Sequence, residues 1–164
     1  MRLYREFFAQ HTVDVAQKLL GKSLIYGPYK GVITETEAYR GQDDAASHAH
    51  RGPTKRSKIM FGLPGIVYVY MIYGIYYCLN IVTEQECVPG AVLIRGLLLP
   101  DYCLNGPGKL CRHLGITTAQ NGVDITLGSD LYIESTDEVV DFKSTERIGI
   151  KKATDKLWRF VLVN

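Results

Sequence analysis

The stretch Gly65-IVYVYMIY-Gly74-IYYCLNIV-Thr83 decides the fold of this chain. Its apolar length approaches that of a membrane helix, but Gly74 and Asn80 interrupt it, β-branched and aromatic residues fill it, and a Pro64-Gly65 turn signal precedes it. Those features call for two strands folded about Tyr73 and Gly74. A hairpin of this kind carries an aromatic at its tip. An exposed tyrosine on a rigid ribbon can act as a wedge between stacked bases. The plainer reading is a tyrosine that closes the edge of a core.

Outward from the hairpin, Ala91-Val-Leu-Ile94 reads as a buried central strand ending at Arg95, whose side chain leaves the core side. Upstream, Gly31 to Tyr39 alternates in period two. This predicts Ile33, Glu35, Glu37 and Tyr39 on one strand face, with Val32, Thr34, Thr36 and Ala38 on the other. Two carboxylates then share a face with an aromatic. On a solvated face they are surface charge; lining a cleft, they are candidate bases. Thr12 is placed to cap a short helix with Val13, Ala16, Leu19 and Leu20 on its apolar face and Gly21 at its end. Gly106-Pro107-Gly108 opens a second helix, through Leu114, closed by Gly115. Asn121-Gly122 and Gly128-Ser129 are turns, and Arg147–Ile150 and Trp158–Val163 read as two further strands. The whole predicts an α+β fold: a single domain over residues 1–164, a curved and largely antiparallel sheet, a protruding hairpin and short peripheral helices.

The chain has 164 residues, 46% of them hydrophobic, enough for one sizeable core. A net charge of +2 neither demands nor excludes a polyanionic partner. The charge that matters is local: His48 to Lys58 gathers Arg51, Lys55, Arg56 and Lys58 with His48 and His50. Four cysteines without CxxC spacing suit free thiols in a reducing compartment. The polar N-terminus does not read as a secretory signal, so an intracellular protein is expected, nuclear in a eukaryote or in the cytoplasm and nucleoid of a prokaryote.

Three constellations carry chemistry. Glu37 can serve as a general base, and Arg95 can keep it ionised and place a water; the plainer role for Arg95 is a structural ion pair. His48 and His50 have HxH spacing that puts both on one strand face, a metal site short of further ligands, with Asp43 and Asp44 the only carboxylates nearby. Tyr39, Tyr68, Tyr70, Tyr73, Tyr76 and Tyr77 are either core or a stacking platform.

The ordered set Thr36-Glu37-Ala38-Tyr39, Ser47-His48-Ala49, Met60-Phe61-Gly62, Pro64-Gly65, Tyr68-Val69-Tyr70, Tyr73-Gly74, Asn80, Ala91–Arg95, Gly106–Leu110, Asn121-Gly122 and Arg147-Ile-Gly149 closely resembles the alkyladenine (3-methyladenine, or methylpurine) DNA glycosylases of the mammalian type. The resemblance runs through almost the whole chain. It implies base excision: a damaged purine is flipped from duplex DNA and its glycosidic bond hydrolysed, with no metal or organic cofactor. It further implies Glu37 as the base for the attacking water, and Arg95 with the carbonyl of Ile148 as its holders. Tyr39, His48 and Tyr70 would sandwich the flipped base. Asn80 would line the pocket against the amino group of guanine, and Tyr73 would fill the gap in the stack. Arg51, Thr54, Lys55, Arg56, Lys58, Met60, Gly74 and Lys109 would meet the DNA backbone. The expected partner is double-stranded DNA carrying damaged purines, not a membrane or a small-molecule cofactor, and a monomer suffices. Relative to larger members, the connection from Leu98 to Gly106, the Lys151–Trp158 segment and the N-terminal part are short. Two other readings stand beside this one: a damaged-DNA or RNA binding module without catalysis, and a metal-dependent hydrolase built on His48 and His50.

Overall fold

The computed structural model describes residues 1–163. Helices α1 (Arg5–Phe8) and α2 (Thr12–Leu19) lead into strands β1 (Ser23–Tyr26) and β2 (Tyr29–Tyr39). A long turn-rich segment ends in a single 3-10 stretch, Ser57–Phe61. Then come β3 (Val67–Ile72), β4 (Tyr76–Val82), β5 (Ala91–Leu98), β6 (Cys103–Asn105), α3 (Pro107–Leu114), β7 (Leu131–Glu134), β8 (Asp141–Thr145) and β9 (Arg159–Val163). The strands form one antiparallel, curled sheet in the order β3-β4-β5-β2-β1-β7. The far edge of β2 is divided: Tyr29–Val32 pair with β1, and Glu35–Glu37 pair with β9, which carries β8. The fold is the expected α+β arrangement, with α2 and α3 against the sheet. No helix among the described residues is long and apolar enough to cross a membrane.

The hairpin forms where its pattern places it, with β3 and β4 in register from Val67↔Ile81 to Ile72↔Tyr76. Its faces divide by parity. Val67, Val69, Leu79 and Ile81 join the main core with Val15, Leu19, Val92, Ile94 and Leu110. Tyr68 and Tyr70 look the other way, over a smaller cluster of Ala49, Met60, Val82 and Ala91. At the tip Ile75 N–H donates to the carbonyl of Ile72, and Tyr73 and Gly74 both have positive φ, 53° and 70°, as primed hairpin turns require.

Four local expectations are corrected. His11, not Thr12, caps α2, through a ring nitrogen accepting from Val13 N–H. Thr12 is inside the helix and donates both its N–H and its hydroxyl to Glu84. The strict alternation of β2 fails at a bulge: Val32↔Leu98 and Ile33↔Leu97 are followed by Glu35↔Gly96 and Thr36↔Ile94, leaving Thr34 and Arg95 outside the ladder. Ile33 therefore lies in the core with Ala38, while Glu37 and Tyr39 face away from it. The central strand does not stop at Arg95 but bulges there and runs on to Leu98. Bulges bend a strand and re-aim side chains, and these two bring Arg95 beside the carboxylates of β2. Finally, Arg147–Ile150 is a turn and not a strand. Gly149 there has φ of 75°, and Arg147 is drawn inward by a buried partner.

A candidate active site beneath the hairpin

Between the outward face of the hairpin, β2, β5 and the Ile148–Ile150 turn lies a cavity of about 220 Å³. That is smaller than the roughly 300–1,000 Å³ of typical ligand pockets, a size for one planar heterocycle. Its aromatic walls are Tyr39, His48, Tyr68 and Tyr70, with Asn80, Met60 and Leu93 behind them and Glu37 and Arg95 among its polar groups. Tyr73 also lines it, from the hairpin tip.

Glu37 is fully buried. Its Oε2 accepts the Ile148 N–H at 2.7 Å and its Oε1 accepts the Tyr39 hydroxyl at 2.8 Å. Burial raises its pKa above the usual carboxylate range, against the opposing pull of Arg95 and these two hydrogen bonds. Arg95 Nε is 3.7 Å from Glu37 Oε2 but only 2.9 Å from Glu35 Oε2. Arg159 Nε donates to that same Glu35 oxygen at 2.8 Å. Burial alone would raise the Glu35 pKa; Arg159 and Arg95 outweigh it and hold the group below its ordinary value.

Burial, then the charge of Glu37, keeps the Tyr39 phenol protonated, and burial does the same for Tyr70. His48 stands at the cavity rim. Its Nδ1 meets the Tyr68 hydroxyl at 3.0 Å, and its ring lies 4.6 Å from Tyr70 at 72°. His48 and Tyr70 thus form one continuous wall. The residue is exposed at its outer edge; partial desolvation of the inner edge against Tyr68 and Tyr70, then the neighbouring Arg56, push the His48 pKa down to about 4. Asn80 is buried, its amide donating to the carbonyls of Tyr68 and Cys78.

The remaining sequence candidates separate into groups. Arg51, Thr54, Lys55, Lys58, Gly74 and Lys109 are exposed. Thr54 also exchanges hydrogen bonds with Ser57, and Lys109 reaches Asn105. Arg56, also exposed, lays its guanidinium 4.9 Å from the Tyr70 ring centre, covering the wall from outside. Met60 is only 2% exposed and lines the cavity, so its side chain does not reach a backbone-facing surface. His48 and His50 are not on a strand, because residues 45–52 run through turns. Asp44, a possible companion ligand, is taken by Arg147. Among the described residues no three His, Cys, Asp or Glu side chains stand as a metal-holding group. The four cysteines carry no disulfide.

Sequence reasoning missed the scaffold behind the cavity. Arg147 and Asp44 form a fully buried bidentate pair at 2.7 and 2.8 Å. Arg147 also donates to the Ala38 carbonyl, and its guanidinium lies 4.7 Å from the Tyr39 ring and 5.2 Å from Trp158. One cation thereby ties Tyr39 to the turn that presents Ile148. The signal in the sequence is the Arg147-Ile-Gly149 motif itself, which does not name Asp44 as its partner.

The family model for methylpurine-DNA glycosylase matches residues 6–103 and 99–164, its two parts meeting where the β5–β6 connection is short. A relative from Ehrlichia chaffeensis, named "Putative 3-methyladenine DNA glycosylase", is 54% identical over 98% of this chain and 92% of its own. Proteins of the same name from Rickettsia felis and Sodalis glossinidius are 50% and 53% identical, over 99% and 96% of this chain and 93% and 95% of theirs. The chain spans more than nine-tenths of the length of each of these relatives. The chain belongs to the methylpurine-DNA glycosylase family.

Proposed function

We propose that this protein is a monofunctional DNA N-glycosylase that takes alkylated or deaminated purines out of duplex DNA. The observation that carries the reading is a buried carboxylate, Glu37, fixed by two donors at the side of an aromatic-walled cavity sized for a single base, with Arg95 beside it. Water held between Glu37, Arg95 and the Ile148 carbonyl attacks the sugar C1′ of the flipped nucleotide. Glu37 takes the water proton as the C–O bond forms. The glycosidic C1′–N bond breaks with its electron pair passing to the base, leaving an abasic site. A cationic or electron-poor purine leaves readily, so the protein chiefly positions base and water.

Flipping has an unstacking cost of a few kcal/mol, smallest at damaged pairs. Stacking on Tyr39, Tyr70 and His48, at about 1 to 3 kcal/mol per base, offsets it. Tyr73, 86% exposed at the hairpin tip, occupies the vacated place in the helix. Arg51, Lys55, Lys58 and Lys109 supply sequence-independent phosphate attraction. Among the described residues the cavity lining holds no lysine, in keeping with hydrolysis by water at Glu37.

Incubating the protein with end-labelled duplexes that bear an alkyladenine, hypoxanthine or ethenoadenine, with EDTA present, tests this reading. Free base with strand cutting only after alkali is the expected product. Tight lesion binding with no base released would make the protein a binding module instead.

A further inference from the structure

The ion pair closest to the proposed base is not the one made by that base. Arg95 Nε hydrogen-bonds Glu35 Oε2 at 2.9 Å and stands 3.7 Å from Glu37 Oε2, while Arg159 Nε holds the same Glu35 oxygen at 2.8 Å. Two carboxylates and two guanidiniums thus form one largely buried, electrically balanced cluster. Its members come from three adjacent strands, and both bulges of the sheet are needed to assemble it. The backbone is committed to this arrangement: a Cβ on Gly96 would fall 2.4 Å from Thr34 Oγ1 and 3.0 Å from Glu35 Cβ. The close approach of β5 to β2 at Glu35 therefore requires glycine.

We infer that Glu35 is a positioning residue for the glycosylase reaction: clamped by Arg159, it holds the Arg95 guanidinium short of a full salt bridge with Glu37. This rests on the reading of Glu37 as the general base. An Arg95 that paired fully with Glu37 would neutralise the base and take the space in which the water must sit. With Glu35 as its primary partner, Arg95 stays close enough to orient a water and far enough to leave Glu37 basic.

The groups facing Glu37 are few. Arg95 lies on β5, Arg159 on β9, Tyr70 on β3 and Cys78 on β4, with Glu35 and Tyr39 on its own strand and, on the Ile148 turn beyond, Arg147 paired with Asp44. Arg147 is compensated by Asp44, which leaves Glu35, Arg95 and Arg159 as the charges that act on Glu37. Removing the Glu35 charge frees Arg95 to close on Glu37 and removes a like charge, both of which favour ionised Glu37. Removing the Arg159 charge leaves Glu35 to Arg95 alone and takes a cation from the neighbourhood, both of which disfavour it.

The test is the pH profile of single-turnover excision for wild type, Glu35→Gln, Glu35→Asp and Arg159→Gln, with folding checked by circular dichroism and Glu37→Gln as a parallel control. For Glu35→Gln the acidic limb is expected to move down by about one pH unit. Its plateau rate should fall roughly tenfold or more as Arg95 leaves the water. For Arg159→Gln the limb should move up. Glu35→Asp, which keeps the charge, should retain a limb near that of wild type. A purely structural role would lower stability and leave every limb in place. Limbs unmoved in folded variants, with Glu37→Gln inactive, overturn this inference alone. Wild-type excision by Glu37→Gln overturns the parent reading, and this one with it. Should Glu35→Gln fail to fold, the direction of the Arg159→Gln shift decides.

Discussion

Replacing Asp44 with alanine leaves Arg147 as an uncompensated buried cation, and the structure sets the scale of the damage. Both side chains are fully buried, the pair is bidentate, and Asp44 also accepts the backbone N–H groups of Arg40 and Ala46. Breaking a buried pair by removing one partner typically costs about 3–5 kcal/mol. In a domain of this size each kcal/mol lowers Tm by about 2–4 °C, so Asp44→Ala should melt about 6–20 °C below wild type. The double variant Asp44→Leu, Arg147→Met removes both charges and should recover much of that loss. It should not recover excision, because Arg147 backs Tyr39 and anchors the turn whose Ile148 N–H binds Glu37. Thermal and urea melts followed by circular dichroism, with single-turnover excision on the same preparations, give both readouts. A shift below about 2 °C for Asp44→Ala, less than a single kcal/mol would produce, or wild-type excision by the double variant, would show that the Arg147–Asp44 pair does not support the cavity.

Other outcomes follow from the same geometry. Because burial raises the Glu37 pKa and the base must be ionised, the acidic limb of excision should lie above the ordinary carboxylate value of about 4.3, with activity lost as pH falls through it; a limb at or below that value would contradict this. His48, depressed to about 4 but exposed at its outer edge, contributes a solvent-screened increment of stability that is complete above its unfolded value of about 6.5 and is lost as pH falls from there toward 4, so urea melts of His48→Phe should lack that small dependence. Tyr73→Ser should leave Tm unchanged, since the ring is solvent-exposed, yet weaken flipping by about 1–3 kcal/mol, read from the fluorescence of a reporter base. Neutralising Lys55 and Lys58 together should reduce the slope of log K against log salt by about 0.9 for each phosphate that is no longer neutralised, equally for lesion and undamaged duplex.

The hairpin, the central strand and the helix opened by Pro107 were legible because each rests on local rules: alternation, β-branched content, a glycine tip, a proline at the first helical turn. The bulge that lets Glu37 and Tyr39 share the cavity while Ile33 enters the core was not, because a one-residue slip leaves no mark on composition. His11 outdid Thr12 as a cap because Glu84, 72 positions away, claims Thr12. Arg147, read as part of a strand, proved to be the anchor of a turn for a similar reason. Its partner Asp44 lies 103 positions earlier, and long-range pairs of buried charge have no periodicity to reveal them. Glu37, Arg95 and Tyr73 stood out at once because each is the wrong residue for a bland sheet: charge within apolar strands, or an aromatic at a turn.

Most direct of all is single-turnover excision from a duplex carrying a damaged purine, comparing wild type with Glu37→Gln in EDTA at saturating protein, with lesion binding measured on the same samples. Wild type is expected to remove the base, and the variant to lose about 10²- to 10⁴-fold of that rate with binding retained. Excision at the wild-type rate by Glu37→Gln would contradict the role of Glu37 as the general base.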